Sequence, residues 1–155
     1  MTADLHGELV YENMLLSRLF LQGAKPHGRE ALIDRSAAVL LARLTAQGPM
    51  SVAELADAFT LDVSTIHRQL AAAMKHGLIE QVPSAGSRSR KHRPTSEGTR
   101  LLDAEMAARA ASAARVTGDW TDEDLATFVG LLRRFNEGVE AARERPWPRE
   151  GRSAE

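Results

Sequence analysis

The chain contains no cysteine. Disulfides, thiolate redox chemistry and Cys-ligated zinc are therefore excluded. Aromatic residues make up only 5% of the 155 residues, while Ala, Leu, Glu and Arg abound. That balance favours a mostly helical fold. No apolar run reaches the ~18–20 residues that spanning a bilayer requires. The start, M-T-A-D-L-H-G-E-L, lacks the basic opening and apolar core of a secretion signal. The expectation is a cytoplasmic protein with no membrane partner. Catalytic motifs are missing too: there is no G-x-S-x-G, no G-x-x-x-x-G-K-S/T, no dinucleotide fingerprint and no H-E-x-x-H. His67 and His76 stand nine apart, which does not place them on one helix face. We expect no enzyme, no metal and no resident cofactor.

What is present begins with a segregated charge. The net charge is only −1. Yet residues 63–96 carry Arg68, Lys75, Arg88, Arg90, Lys91 and Arg93 against Glu80 alone, a local excess of +5 that leaves −6 for the remainder. Such segregation suits a basic face toward phosphate.

The basic segment coincides with a pattern of helix, turn, helix and hairpin over residues 51–98. Ser51 and Glu54 form a capping-box pattern for a short helix, Val52–Phe59, with Leu55, Ala56 and Phe59 inward. Asp62 is the expected N-cap of the next helix, from Val63 to about His76, with Ile66, Leu70 and Ala73 buried. Ser64, Thr65, His67, Arg68 and Lys75 fall on its other faces, and Gly77 ends it. Leu78–Val82 reads as a strand, residues 83–87 as a turn, and Arg88–Pro94 as the returning strand with Pro94 at its end. A helix pair of this kind can place its second helix in the DNA major groove.

Flanking helices complete the reading. Residues 4–22 carry an apolar stripe at Leu5, Leu9, Leu15, Leu16, Leu19 and Phe20, broken by Gly23, Pro26 and Gly28. Asp34 caps a second helix to about Gln47, with Val39, Leu40 and Leu44 as its core residues. Thr95 or Ser96 caps a long Ala-rich helix to about Val116. Thr121 caps a last helix with Leu125, Phe128, Val129, Leu132 and Phe135 inward, and the tail from Glu144 is expected to be irregular. The acids at Asp119, Asp122, Glu123 and Asp124 suit a helix first turn better than a cation site. The terminal stripes call for a partner, and dimerisation is the natural way to bury them.

With these elements in order, A-E-L-A (53–56), S-T-I-H-R (64–68), H-G-L-I-E (76–80), a hairpin containing Arg88, and P-T-S-E-G (94–98), the chain resembles the MarR family of bacterial transcription regulators over roughly residues 5–143. The resemblance implies a mainly α fold with a small β-hairpin wing: one domain over 1–155, a winged helix-turn-helix over 30–96, dimerisation helices at 4–22 and 96–143, and a tail at 144–155. It also implies a homodimer on a pseudo-palindromic DNA operator, acting as a repressor that a small aromatic effector releases. An effector pocket is then expected near Phe20, the second helix and the Ala-rich helix. The family's wing usually carries Asp-x-Arg, where this chain has Gly86-Ser87-Arg88, keeping the Arg without the bracing carboxylate. Gln81 replaces a frequent Arg, and Pro94 a usual Leu.

Candidate roles follow from chemistry. Arg68 suits bidentate reading of guanine. Ser64 and Thr65 suit phosphate at a helix start. His67 suits a base or a phosphate. Arg88 suits an A·T-rich minor groove. Lys75, Arg90, Lys91 and Arg93 suit backbone phosphate, although a strand would divide the last three between faces. Two other readings stand beside this one: an architectural DNA binder without an effector, and a winged-helix module for protein interaction.

Overall fold

A computed structural model describes residues 4–21, 31–83, 86 and 89–149. It divides into two compact units, Met1–Leu32 and Ile33–Glu155. In the first, helix α1 spans Leu5–Leu21, and the Asp4 carboxylate accepts from the Gly7 N–H at 3.0 Å. Leu5, Leu9, Val10, Tyr11, Met14 and Leu16 are exposed on it.

The second unit holds helices α2 (Arg35–Gln47), α3 (Val52–Phe59), α4 (Val63–Lys75), α5 (Ser96–Val116) and α6 (Asp122–Ala142), with strands β1 (Met50–Ser51), β2 (Ile79–Val82) and β3 (Lys91–Pro94). The sheet is antiparallel in the order β1-β3-β2. Local chemistry sets most boundaries. Asp34 accepts from Ala37 N–H at 2.9 Å to start α2. Ser51 and Glu54 close a reciprocal capping box on α3. Thr121 and Asp124 do the same on α6. Helix α4 ends with His76, then Gly77 at φ 71°, where Leu78 N–H bonds Ala73 O and Gly77 N–H bonds Met74 O. This is the left-handed termination that glycine makes inexpensive.

The core is aliphatic. Leu40, Leu41 and Leu44 of α2, Leu55 of α3, Ile66, Leu70 and Ala73 of α4, Leu78, Ile79, and Leu102 of α5 pack together. Thr95 locks the end of the wing onto this core. Its hydroxyl donates to Gly77 O at 2.6 Å and accepts from Gly98 N–H at 3.0 Å, while its own N–H donates to Leu78 O at 3.0 Å. At Gly98 an added Cβ would lie 2.0 Å from that same Leu78 oxygen. The glycine of P-T-S-E-G is therefore a close-approach residue, and its lack of a side chain lets α5 begin against the α4–β2 turn.

Several expectations change. Val39 is 38% exposed rather than in the core, because Ala37, Ala38, Leu40, Leu41 and Leu44 define the buried face and Val39 lies outside it. Leu125, Phe128, Val129, Leu132 and Phe135 are exposed rather than inward, and among the described residues none of α6 is buried. Asp62 has N-cap backbone geometry but makes no side-chain capping bond. The strands are shorter than expected, Ile79–Val82 and Lys91–Pro94. Strand β1 is an addition, supplied by Met50–Ser51 pairing with His92 and Lys91 of β3.

Candidate nucleic-acid interface

Helix α4 and the wing share one groove. Its volume is about 540 Å³, and His67, Ala71 and Met74 of α4 face Ser89, Arg90 and His92 of the wing across it. The α3 capping box and the short β1–β3 pairing hold this arrangement, because Ser51 belongs to both.

On α4, Ser64, His67, Arg68 and Lys75 are exposed and Thr65 is half-buried, while Ile66, Leu70 and Ala73 face the core. The 3.6-residue period separates the two sets. Arg68 and Lys75 hold no hydrogen bond or ion pair among the described residues. Their charges remain available to an outside anion.

The wing cations are differently placed. Arg93 donates to Glu80 at 2.8 Å across the β2–β3 pair. Lys91 lies 3.6 Å from Glu54 of the capping box. Arg90 donates to the Gln81 amide oxygen at 3.0 Å, which leaves its charge uncompensated by that bond. Each of these three therefore has a partner within the fold. Sequence proximity hides two of them, since Glu80 and Glu54 meet the wing only after the sheet forms. Exposed pairs of this kind are worth at most about 1 kcal/mol and exchange readily for phosphate. Arg88 lies outside the described residues, as do Ser84, Ala85 and Ser87.

His92 has no counterpart among the sequence expectations. It is central in the sheet, opposite Met50 on one side and Gln81 on the other. Its ring is buried, and Nδ1 has no hydrogen-bond partner among the described residues. Burial holds its pKa below the ordinary histidine value; a hydrogen bond with the Met50 backbone works in the opposite direction, and the nearby His67 adds to the lowering. The Glu54 carboxyl is also held low, chiefly by the Ser51 N–H it accepts, with Lys91 contributing. The only signal for His92 in the sequence is strand alternation, which puts it on the face opposite Lys91 and Arg93.

The effector pocket expected near Phe20 involves a side chain outside the described set. Among the described residues no group of three or more His, Asp or Glu is placed to hold a metal. No described helix is long and apolar enough to cross a membrane.

The geometry is that of a winged helix-turn-helix, and comparison with known proteins agrees. An HTH-type transcriptional regulator of Bacillus subtilis (strain 168), YxaD, is 36% identical over 110 residues, covering 70% of this chain and 76% of its own. A MarR family protein from Bacillus stearothermophilus superposes with a TM-score of 0.68 at 25% identity, covering 86% of this chain and 96% of that one. The chain belongs to the MarR family. A crystal structure of MarR shares the fold at TM-score 0.70 and 22% identity, covering 93% of this chain and 97% of that one. A MarR variant from E. coli, solved in complex with operator DNA, does so at TM-score 0.61 and 18% identity, covering 86% and 99%. The family model HVO_A0114 matches residues 34–97, the helix-turn-helix and wing. These relatives are transcription regulators rather than enzymes, in keeping with the missing catalytic motifs.

Proposed function

We propose that this MarR-family chain is a dimeric, sequence-specific regulator that binds double-stranded DNA through α4 and the wing. One observation carries the reading. Uncommitted Arg68 and Lys75 lie exposed on α4, and the groove that α4 forms with the wing is edged by Arg90. Helix α4 reads the major groove, with Arg68 on a base and Ser64, Thr65 and Lys75 on phosphate. The wing, with Arg88, Arg90 and Lys91, follows the backbone or the adjacent minor groove.

Dimerisation has its own support. Helix α6 exposes Leu125, Phe128, Val129, Leu131, Leu132, Phe135 and Val139, and α1 exposes a second apolar set. Apolar faces of this extent mark protein contacts rather than solvated surface. Two-fold pairing then presents two reading heads to a pseudo-palindromic operator. In the fuller form of this proposal the protein is cytoplasmic and represses, and a small aromatic effector releases it. That form draws on the family's habits rather than on a pocket described in this chain.

Sedimentation velocity, alone and with the duplex upstream of its own gene, tests the proposal. Two chains alone and two chains per duplex are expected. A monomer in both conditions would contradict it.

A further inference from the structure

Residues 143–149, which follow α6, are irregular, yet they are tied down at both sides. Among the described residues, α6 buries nothing of its own. It is attached to the winged core at its C-terminal end. The C-terminal end does this with charge, stacking and two prolines, Pro146 and Pro148, which fix backbone torsions around Trp147.

Four residue pairs join this segment to α2 and α3. Arg43 of α2 is buried, with Nη1 donating to Pro146 O at 3.2 Å and Nη2 to Gln47 at 2.6 Å. Its guanidinium lies 5.1 Å from the Trp147 ring centroid. That ring also packs on Phe59 of α3, at 6.0 Å between centroids. Arg145 grips the end of α3 twice, donating to Asp57 O at 2.9 Å and to its carboxylate at 2.7 Å. Two further contacts run back to α6. The Trp147 backbone N–H donates to Glu140 at 3.1 Å, and Arg149 forms a bidentate pair with the same carboxylate, its Nη1 at 2.7 Å. Burial lowers the Arg43 pKa, and the charge of Glu140 partly offsets that lowering. A charged residue of the core, an aromatic of the tail and a carboxylate of α6 thus form one unit.

We propose that this unit, centred on Arg43, Trp147 and Glu140, is a latch that sets the angle between α6 and the helix-turn-helix. Arg43 and Trp147 are positioning residues for DNA binding and do not themselves touch DNA. The inference rests on the dimeric reading above. If α6 pairs with its counterpart, its angle to α2 and α3 fixes how far apart the two α4 helices stand. Half-site separation must match that distance. Several weak bonds at one end of a lightly packed helix make a joint that can loosen without unfolding the core.

The test exploits the missing cysteines. Ala72→Cys on exposed α4 takes one spin label per protomer, so each dimer reports one distance between reading heads. The expected result is a narrow distance distribution in the otherwise native chain. It broadens in Trp147→Ala and is restored in Trp147→Phe, which keeps an aromatic face for Arg43 and Phe59. Unlabelled Trp147→Ala should also lose about five- to twentyfold in operator affinity. Arg145→Gln, at a half-buried position whose ion pair is partly exposed, should broaden the distribution while lowering Tm little, so the proposal does not depend on Trp147→Ala folding well. A distribution equally narrow in Trp147→Ala and Arg145→Gln overturns the latch. Absence of any interspin distance in the otherwise native chain overturns the dimeric reading itself, and the latch with it.

Discussion

Gly98→Ala is the substitution whose cost the structure fixes most directly. The new methyl would sit 2.0 Å from Leu78 O, 2.9 Å from Leu78 C and 3.0 Å from Leu41 Cδ2. Two of these are backbone atoms, which cannot swing aside as a side chain can. Overpacking in a fixed site costs about 1–3 kcal/mol, and a contact this short belongs at the upper end. The carbonyl forced to move is the acceptor of Thr95 N–H, so a hydrogen bond worth about 1 kcal/mol is strained as well. Alanine's better helix propensity returns about 1 kcal/mol. The balance is a loss of about 3 kcal/mol, or a fall in Tm of roughly 6–12 °C for a chain of this size. Thermal denaturation followed by far-UV circular dichroism measures it. A Tm equal to or above that of the parent would refute the claim that α5 needs a bare backbone where it meets the α4–β2 turn.

Three further outcomes follow from the same geometry. Arg68→Ala should relax base preference at one position in each half-site, at a cost of about 1–3 kcal/mol, read by competition with single-base operator variants. Arg88→Ala should weaken binding with little change in major-groove preference, whereas Arg93→Ala, whose charge already faces Glu80, should change affinity less; the two are compared by titration on one duplex. His92 should make stability pH-dependent. Its native pKa is depressed by burial, so its contribution is complete above the ordinary value of about 6.5 and is lost as pH falls from there toward the native value. The decline in Tm between neutral pH and mild acid should be shallower in His92→Gln, and an identical slope would remove His92 from the account.

What could be read from the sequence was chiefly local chemistry. Asp34, Ser51 with Glu54, Thr95 and Thr121 all start helices where their side chains satisfy nearby N–H groups, and such bonds span three residues. Pro94 ends its strand for the same local reason. Contacts that close over distance left weaker traces. Met50–Ser51 is too short to show a strand period, and only its pairing with His92 and Lys91 makes it one. Lys91 and Arg93 looked like free cations until the sheet brought Glu54 and Glu80 beside them. Val39 sits among apolar neighbours in sequence but off the face they share. The stripe of α6 was legible as apolar, but nothing among the described residues of one chain buries it. Arg43 and Trp147 carried no local signal, because a buried arginine is recognised only by what stacks on it.

The central claim is that α4 and the wing read a specific DNA sequence, and salt-dependent fluorescence anisotropy tests it most directly. Binding is measured on the duplex upstream of the chain's own gene and on a scrambled duplex, each at two salt concentrations. The account predicts affinity that falls steeply with salt on both, because phosphate contacts release counterions, and a preference for the native sequence of about 10³-fold or more. A steep salt slope with equal affinity for both duplexes would leave only architectural binding at that site, and no binding to either would contradict the DNA-reading surface assigned to α4 and the wing.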